Sequence, residues 1–539
     1  MTRMLFPSVL LLGAAVMAQT APDPSGRGNL PVTNVDYKIE RVLVPSIAYP
    51  VDVWATVWHP TNLPGGPYPL VLILHGNHGI CRTPGTLNDV CTATPPICPA
   101  GFIQTPQEKG YNYFAEKLAS HGYIVASINA NSINCRANAI PERGRLVQEH
   151  LRRWSQWNTG AGAEPFGGRF AGKVNLQNVG LIGHSRGGEG VRAAYNMNRD
   201  ENSPFGIKAV IEISPVDFGR GLANPLYNVD DVHFGLVLSA CDADVSDNQG
   251  IRALDRSLFL QEKNPTTKVQ KYVWGSNHNF FNSEWLPEST LFPCVDLPIM
   301  TTRPPQEAVG AVYLMGMIRA WLGNENFPGL LTGDLPPPPA VQVPVDTAYL
   351  ESPSRTWTVE NFTHAAAPRL NQAGAVNSWI NLNIRSCNAG NCALAPVNWT
   401  HDVGTFVADV SWPQRPGATA SLTIPLSSGG EGVDISQYRY ISFRVAAKYS
   451  ELNPTNPGTQ NFTVQLSTES GSSNGVQTAS YTNIPFPVGG LFRRSILKTV
   501  RIPLSSLGEF DRTKVTRIHL IFDQNPTGAI FLTDLQFVP

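Results

Sequence analysis

The stretch "VGLIGHSRGGEGV", residues 179 to 191, sets one serine among glycines, between an apolar run and a helix-like segment. Gly183, His184, Ser185, Arg186 and Gly187 fill a G-x-S-x-G pattern. A serine displayed on a tight turn between strand and helix needs glycine on either side, because backbone and helix pass too close there for side chains. Its hydroxyl is a weak nucleophile at neutral pH, so it needs a histidine to take the proton and a carboxylate to orient that histidine. The chemistry on offer is attack by Ser185 on an acyl carbon.

The partners are expected in loops that follow later strands. "KYVWGSNHNFF" ends a strand-like run and presents His278, the last histidine of the first domain, as the base. "FGLVLSACDADVSDNQG" ends another and offers Asp242, Asp244 and Asp247. Asp242 comes first out of the strand and is preferred as the acid, with Asp244 as its competitor. Asp247 reads as a solvated loop residue, and Asp217 in "SPVDF" as a cap or loop anchor. An oxyanion needs two fixed donors. One is the backbone N–H of Arg186 and the other that of Asn77 in "LILHGNHG", with Gly76 or His78 in reserve. No carboxylate or cysteine cluster completes a metal site around His75 and His78, so neither metal nor organic cofactor is expected. Phe280 and Phe281 could line an acyl pocket or pack in the core. Whether the Arg186 side chain pairs with Glu189 or faces substrate is open at this stage.

The elements that must carry these residues are apolar runs at 70–74, 123–128, 178–183, 208–213, 234–239 and 269–274, alternating with helix-like segments at 111–122, 143–157, 188–200 and 307–323. That alternation predicts an α/β domain with a doubly wound, mostly parallel sheet, opened by an antiparallel edge from "YKIERVLVPSI" and "VDVWATVWHP". Four successive prolines in "GDLPPPPAVQVPV" mark a boundary. Beyond it, alternating runs separated by Gly, Pro, Asn and Ser predict an all-β sandwich. The expected division is a signal peptide at 1–18, a catalytic domain at 19–332, a Pro-rich linker at 333–347 and an accessory domain at 348–539.

Forty Lys plus Arg against 41 Asp plus Glu leave a formal charge of -1, which suggests neither nucleic acid nor an anionic membrane as partner. A basic start, an apolar run from Leu5 to Ala18 and small residues near Ala18 read as a secretory signal, and no later segment is apolar enough to span a bilayer. Eight cysteines fit an oxidising compartment, and "CNAGNC" suggests a Cys387–Cys392 bridge.

Together, "LILHGNHG", "LASHGYIVASI", "GHSRGG", "CDADV" and "GSNHNFF" resemble the α/β-hydrolase family over roughly residues 36 to 325. Within it, the likeness is to secreted, cap-less serine esterases of the cutinase-like, dienelactone-hydrolase-like and platelet-activating-factor-acetylhydrolase-like types. The resemblance implies Ser185 as nucleophile, Asp242 as orienting acid and His278 as base. Some polyester hydrolases join their acid and histidine loops by a disulfide, which implies a Cys241–Cys294 pair here. The region from about 348 resembles a jelly-roll accessory domain, in which Trp357, Trp379, Trp399 and Trp412 would offer a sugar-stacking platform if exposed and core residues if not.

The expectation is a secreted, monomeric serine carboxylester hydrolase acting on a small or polymeric ester, with polysaccharide contact through the accessory domain. A peptidase or amidase using the same triad is the alternative, as is a polysaccharide-binding protein with an inert hydrolase fold.

Overall fold

The computed structural model describes residues 19–92, 98–162, 164–219, 226–258, 260, 262–288, 300–363, 369–388, 392, 401–402, 404–414, 419–454, 458–487 and 494–539. The expected signal peptide lies outside the described residues, as do Trp399 and, with Cys294, the expected Cys241–Cys294 bridge.

Nine strands make the first sheet: β1 (Val32–Val42), β2 (Val51–Pro60), β3 (Tyr68–Leu74), β4 (Ile124–Asn129), β5 (Val174–His184), β6 (Ile207–Ile213), β7 (His233–Ser239), β8 (Lys268–Val273) and β9 (Val345–Leu350). Their order is β1-β2-β4-β3-β5-β6-β7-β8-β9. The six strands from β4 to β8 in that order are parallel neighbours. Residues 70–74 of β3 and 234–238 of β7 carry no polar side chain and are buried on both faces, as parallel strands must be. The pairs β1/β2, β2/β4 and β8/β9 are antiparallel.

This corrects the expected fold class. The sheet is mixed, with three antiparallel pairings of eight, and further antiparallel sheets accompany it. Among the described residues strand makes up 33% and helix only 19%, so this is not a helix-rich α/β-hydrolase with a doubly wound sheet. The physical reason lies in the connections. The antiparallel β1/β2 edge is as expected, but the chain returns after α5 to add β9 antiparallel to β8, a strand the sequence pattern does not mark. Much of the remaining connecting chain is loop instead of helix.

Five helices are described: α1 (Asn112–Ala119), α2 (Ile140–Asn158), α3 (Arg186–Asp200), α4 (Ile251–Ser257) and α5 (Arg303–Gly323). Leu70, Leu72 and Leu74 of β3 pack with Leu146, Leu151 and Val191 of α2 and α3, whereas Val71 and Ile73 pack with Phe114 of α1 and Val309 of α5. The period of two along β3 thus feeds two cores. A small ribbon of Cys81–Arg82, Asp89–Val90 and Ile103–Gln104 is tied by Cys81–Cys98 and joined by Cys91–Cys135 to the chain after β4.

The Pro-rich segment is stitched to this unit. Pro336 O accepts from Ala21 N, Pro344 O accepts from Trp274 N, and β9 follows directly. The C-terminal region forms two antiparallel sheets, one ordered Asn383–Asn388, Phe406–Trp412, Gly528–Val538, Tyr440–Ala447, Lys498–Pro503, the other Ser378–Ile380, Ala420–Pro425, Val515–Phe522, Thr463–Thr468, Val476–Gln477. Both contribute to one apolar core, and Cys387 is bonded to Cys392. Trp412 is buried in that core against Phe522, Trp357 stacks on Phe537, and Trp379 lies half-buried beneath the Arg369 guanidinium. Among the described residues, no helix is long and apolar enough to cross a membrane.

Candidate active site

Ser185 sits between the end of β5 and the start of α3 with φ 57° and ψ -127°, a conformation that costs a non-glycine residue free energy and persists only where its surroundings enforce it. The enforcing contacts are Ser185 N to Ile213 O at 2.8 Å and Gly188 N to Ser185 O at 2.9 Å. The flanking glycines are explained by crowding. A Cβ on Gly183 would lie 2.2 Å from Gly187 O, and one on Gly187 would lie 2.3 Å from Leu74 O. The loop after β3 comes equally close, since a Cβ on Gly76 would lie 2.6 Å from Ser185 Cβ.

His278 follows β8, and Asp242 follows β7. Nδ1–H of His278 donates to Asp242 Oδ2 at 2.8 Å, with both side chains fully buried. The other Asp242 oxygen accepts from Val245 N at 2.6 Å and Asp244 N at 3.1 Å, so the carboxylate is held on both sides. The two loops are clamped by Glu288, which accepts from His278 N at 2.9 Å and Ala243 N at 3.2 Å. Burial, together with nearby Asp242, pushes the Glu288 carboxyl up to about 7. For His278, burial disfavours the charged ring, but Asp242, with Asp244 and Glu288, outweighs it and raises the pKa to about 9.

His278 Nε2 is buried without a hydrogen-bond partner. Asp244 Oδ2 stands 3.6 Å from it on a side chain that is 58% exposed. Asp244 therefore faces the nitrogen opposite the one Asp242 occupies, which separates the two candidate acids by role. The other aspartates are engaged elsewhere. Asp217 binds Arg192 and Arg256 at 2.7 and 2.8 Å, and these cations overcome burial to hold its carboxyl at about 2. Asp247 is half-exposed beside Arg252.

Asn77, Ser185 and Arg186 line a common recess of about 140 Å³ with Val216, Phe218, Asp244, Val245 and Gln249. Both expected oxyanion residues thus border the serine. The Asn77 side chain is fixed by accepting from Cys135 N at 2.9 Å. The Arg186 side chain does not pair with Glu189: its Nη1 donates to Arg136 O at 3.1 Å, while Glu189 accepts from Phe218 N and Gly219 N. His75 spends both ring nitrogens internally, on Gly76 O and Ala130 N. Among the described residues, no group of three or more His, Cys, Asp or Glu side chains could hold a metal ion. Phe280 and Phe281 are buried in the core beneath α5.

Sequence reasoning missed Trp285 and Glu288. Trp285 is fully buried, stacks on His78 with ring centroids 3.9 Å apart, lies parallel to His278 at 6.2 Å, and donates from Nε1 to Gln107 Oε1 at 3.1 Å. It joins the oxyanion loop to the histidine loop. No spacing pattern marks either residue in the sequence. No protein-family model and no curated protein matches the chain.

Proposed function

We propose that this chain is a serine hydrolase that cleaves carboxylic esters through an acyl-enzyme. The observation that carries the reading is the combination of Ser185 in an enforced positive-φ conformation with a buried, hydrogen-bonded His278–Asp242 pair in neighbouring loops. Ser185 Oγ attacks the ester carbonyl carbon while its proton passes to His278 Nε2, the nitrogen that Asp242 leaves free. The carbonyl oxygen becomes an oxyanion, stabilised by the N–H groups of Asn77 and Arg186. His278 returns the proton to the departing alkoxide as the C–O bond breaks. Water, deprotonated by the same imidazole, then adds to the acyl carbon and releases acid and free serine.

The chain order of oxyanion loop, Ser, Asp and His agrees with the motif resemblance to secreted cap-less esterases and supports the same chemistry, without reliance on the sheet. The three described disulfides favour an oxidising compartment, so we place the protein outside the cytoplasm. The recess, walled by Val216, Phe218 and Val245, suits a short acyl group.

Incubation with a fluorophosphonate probe, followed by peptide mapping, tests the reading. Covalent label at Ser185 is expected, together with loss of both label and p-nitrophenyl acetate hydrolysis in Ser185→Ala. Unchanged hydrolysis by that variant overturns the assignment.

A further inference from the structure

The C-terminal region reaches the triad. Arg494 is buried at 4% exposure, in the chain leading into strand Lys498–Pro503. Its Nη1 donates to Asn248 Oδ1 at 3.0 Å and to Ala240 O at 3.4 Å, and the Tyr272 hydroxyl lies beside the guanidinium. Ala240 is two residues before Asp242. Asn248 closes the same loop by donating from Nδ2 to Ser239 O at 3.1 Å. The Ser239 hydroxyl in turn donates to Asn277 O at 2.8 Å, on the residue preceding His278. One cation from the far end of the chain is therefore bonded to the acid loop and, through Ser239, connected to the base loop.

The surrounding contacts hold Arg494 in place. Ile496, two residues on, belongs to the core of the first sheet. Asp346 at the start of β9 binds Lys498 and accepts from Trp274 Nε1 at 3.0 Å. C-terminal to the acid loop, Asp255 of α4 is fully buried and accepts from His401 Nδ1 and Arg444 Nη1, each at 2.7 Å. Charge-assisted hydrogen bonds in a water-excluded setting fix geometry more firmly than neutral ones.

We propose that Arg494 is a positioning residue for the triad, so that the C-terminal β region is part of the catalytic unit and not an appended module. The proposal rests on the Ser185–His278–Asp242 reading. Arg494 touches no substrate. It acts through Ala240 and Asn248 on the placement of Asp242, and hence of His278.

Full-length Arg494→Gln and Arg494→Lys test it through four readouts: kcat and KM on an ester, the rate of fluorophosphonate labelling of Ser185, the melting transition, and the downfield NMR resonance of the proton between His278 and Asp242. In Arg494→Gln, kcat falls by about 10- to 100-fold, since small displacements at a reacting centre cost that much. KM stays within about twofold, because ground-state binding is untouched. Labelling slows in proportion, the downfield proton shifts or broadens, and Arg494→Lys, which keeps the charge, recovers part of each.

A purely structural arginine predicts otherwise: a lower melting temperature with kcat and the resonance unchanged below it, and that result overturns the proposal. If Arg494→Gln does not fold, Arg494→Lys decides, since wild-type kcat and resonance in that variant also overturn it. Absence of Ser185 labelling in the wild-type protein refutes the triad reading itself, a separate outcome.

Discussion

Replacing each of two neighbouring aspartates by asparagine separates their roles quantitatively. Asp242 bonds His278 Nδ1 at 2.8 Å with both groups fully buried, whereas Asp244 faces Nε2 at 3.6 Å from a largely exposed position. His278 must be neutral to act as base, so kcat/KM rises with pH toward a midpoint near its raised pKa of about 9. Burial opposes that elevation. Asp242, Asp244 and Glu288 produce it, while His184 packs alongside as a neutral ring, held well below its ordinary value by burial and then by His278 itself. Two charges at this separation in a water-like medium interact by about 1 kcal/mol, and exposed pairs measure about 0.2–1 kcal/mol.

Removing the Asp244 charge destabilises the imidazolium, so the free base prevails at lower pH. At about 1.4 kcal/mol per pH unit, the midpoint falls by roughly 0.1 to 0.7 unit. The plateau rate falls by no more than about fivefold, because the transition state loses only this same weak interaction with the imidazolium. Asp242→Asn instead presents an amide to Nδ1, disturbs the tautomer and lowers the plateau by about 10⁴-fold. Titration of acid release from a small aliphatic ester between pH 6 and 10 measures both quantities. An Asp244→Asn plateau that collapses like that of Asp242→Asn, or a midpoint that rises, would refute this division of labour.

Gly76→Ala forces a Cβ to within 2.6 Å of Ser185 Cβ and 3.1 Å of Trp285, so the oxyanion loop must shift. A kcat loss of about 100-fold is expected from initial rates, with fluorophosphonate labelling slowed alongside. Arg192→Leu leaves the buried carboxylates of Glu212 and Asp217 without the guanidinium that binds both, and urea unfolding at neutral pH should report a loss of about 3–5 kcal/mol. The recess of about 140 Å³ predicts that acetyl and butyryl esters are cleaved about tenfold or more faster than decanoyl esters, read as kcat/KM across a series with one leaving group.

What the sequence made legible was local. Ser185 could be found because glycines at 183 and 187 answer to contacts within one turn and one adjacent strand. Asp242 and His278 could be found because the apolar runs at 234–239 and 269–274 lie within a residue of β7 and β8, whose ends the two loops leave. The antiparallel β1/β2 edge was legible, but the direction of the last pairing, β8/β9, was not, because apolar content marks a strand as buried without recording which way its neighbour runs. β9 was hidden for a further reason, since its residues straddle the end of a proline-rich stretch and pair only with a strand on the far side of α5. The four helix-like segments correspond to α1, α2, α3 and α5, whereas α4, only seven residues long, was not marked by any periodicity. Glu288 meets the triad through two backbone N–H groups, and Arg494 meets Ala240 across a sequence separation of 254 residues.

The ninth strand bears on how the molecule is made. During synthesis β8 emerges well before β9, and in that interval its outer edge is a bare row of N–H and C=O groups able to template pairing with another chain. Residues 345–350 end that exposure by occupying the edge themselves. Any truncation in the proline-rich stretch, where the composition invites a cut, would leave nascent and mature molecules alike with an unguarded β edge. Its product is then an aggregation hazard, and not a self-sufficient first domain.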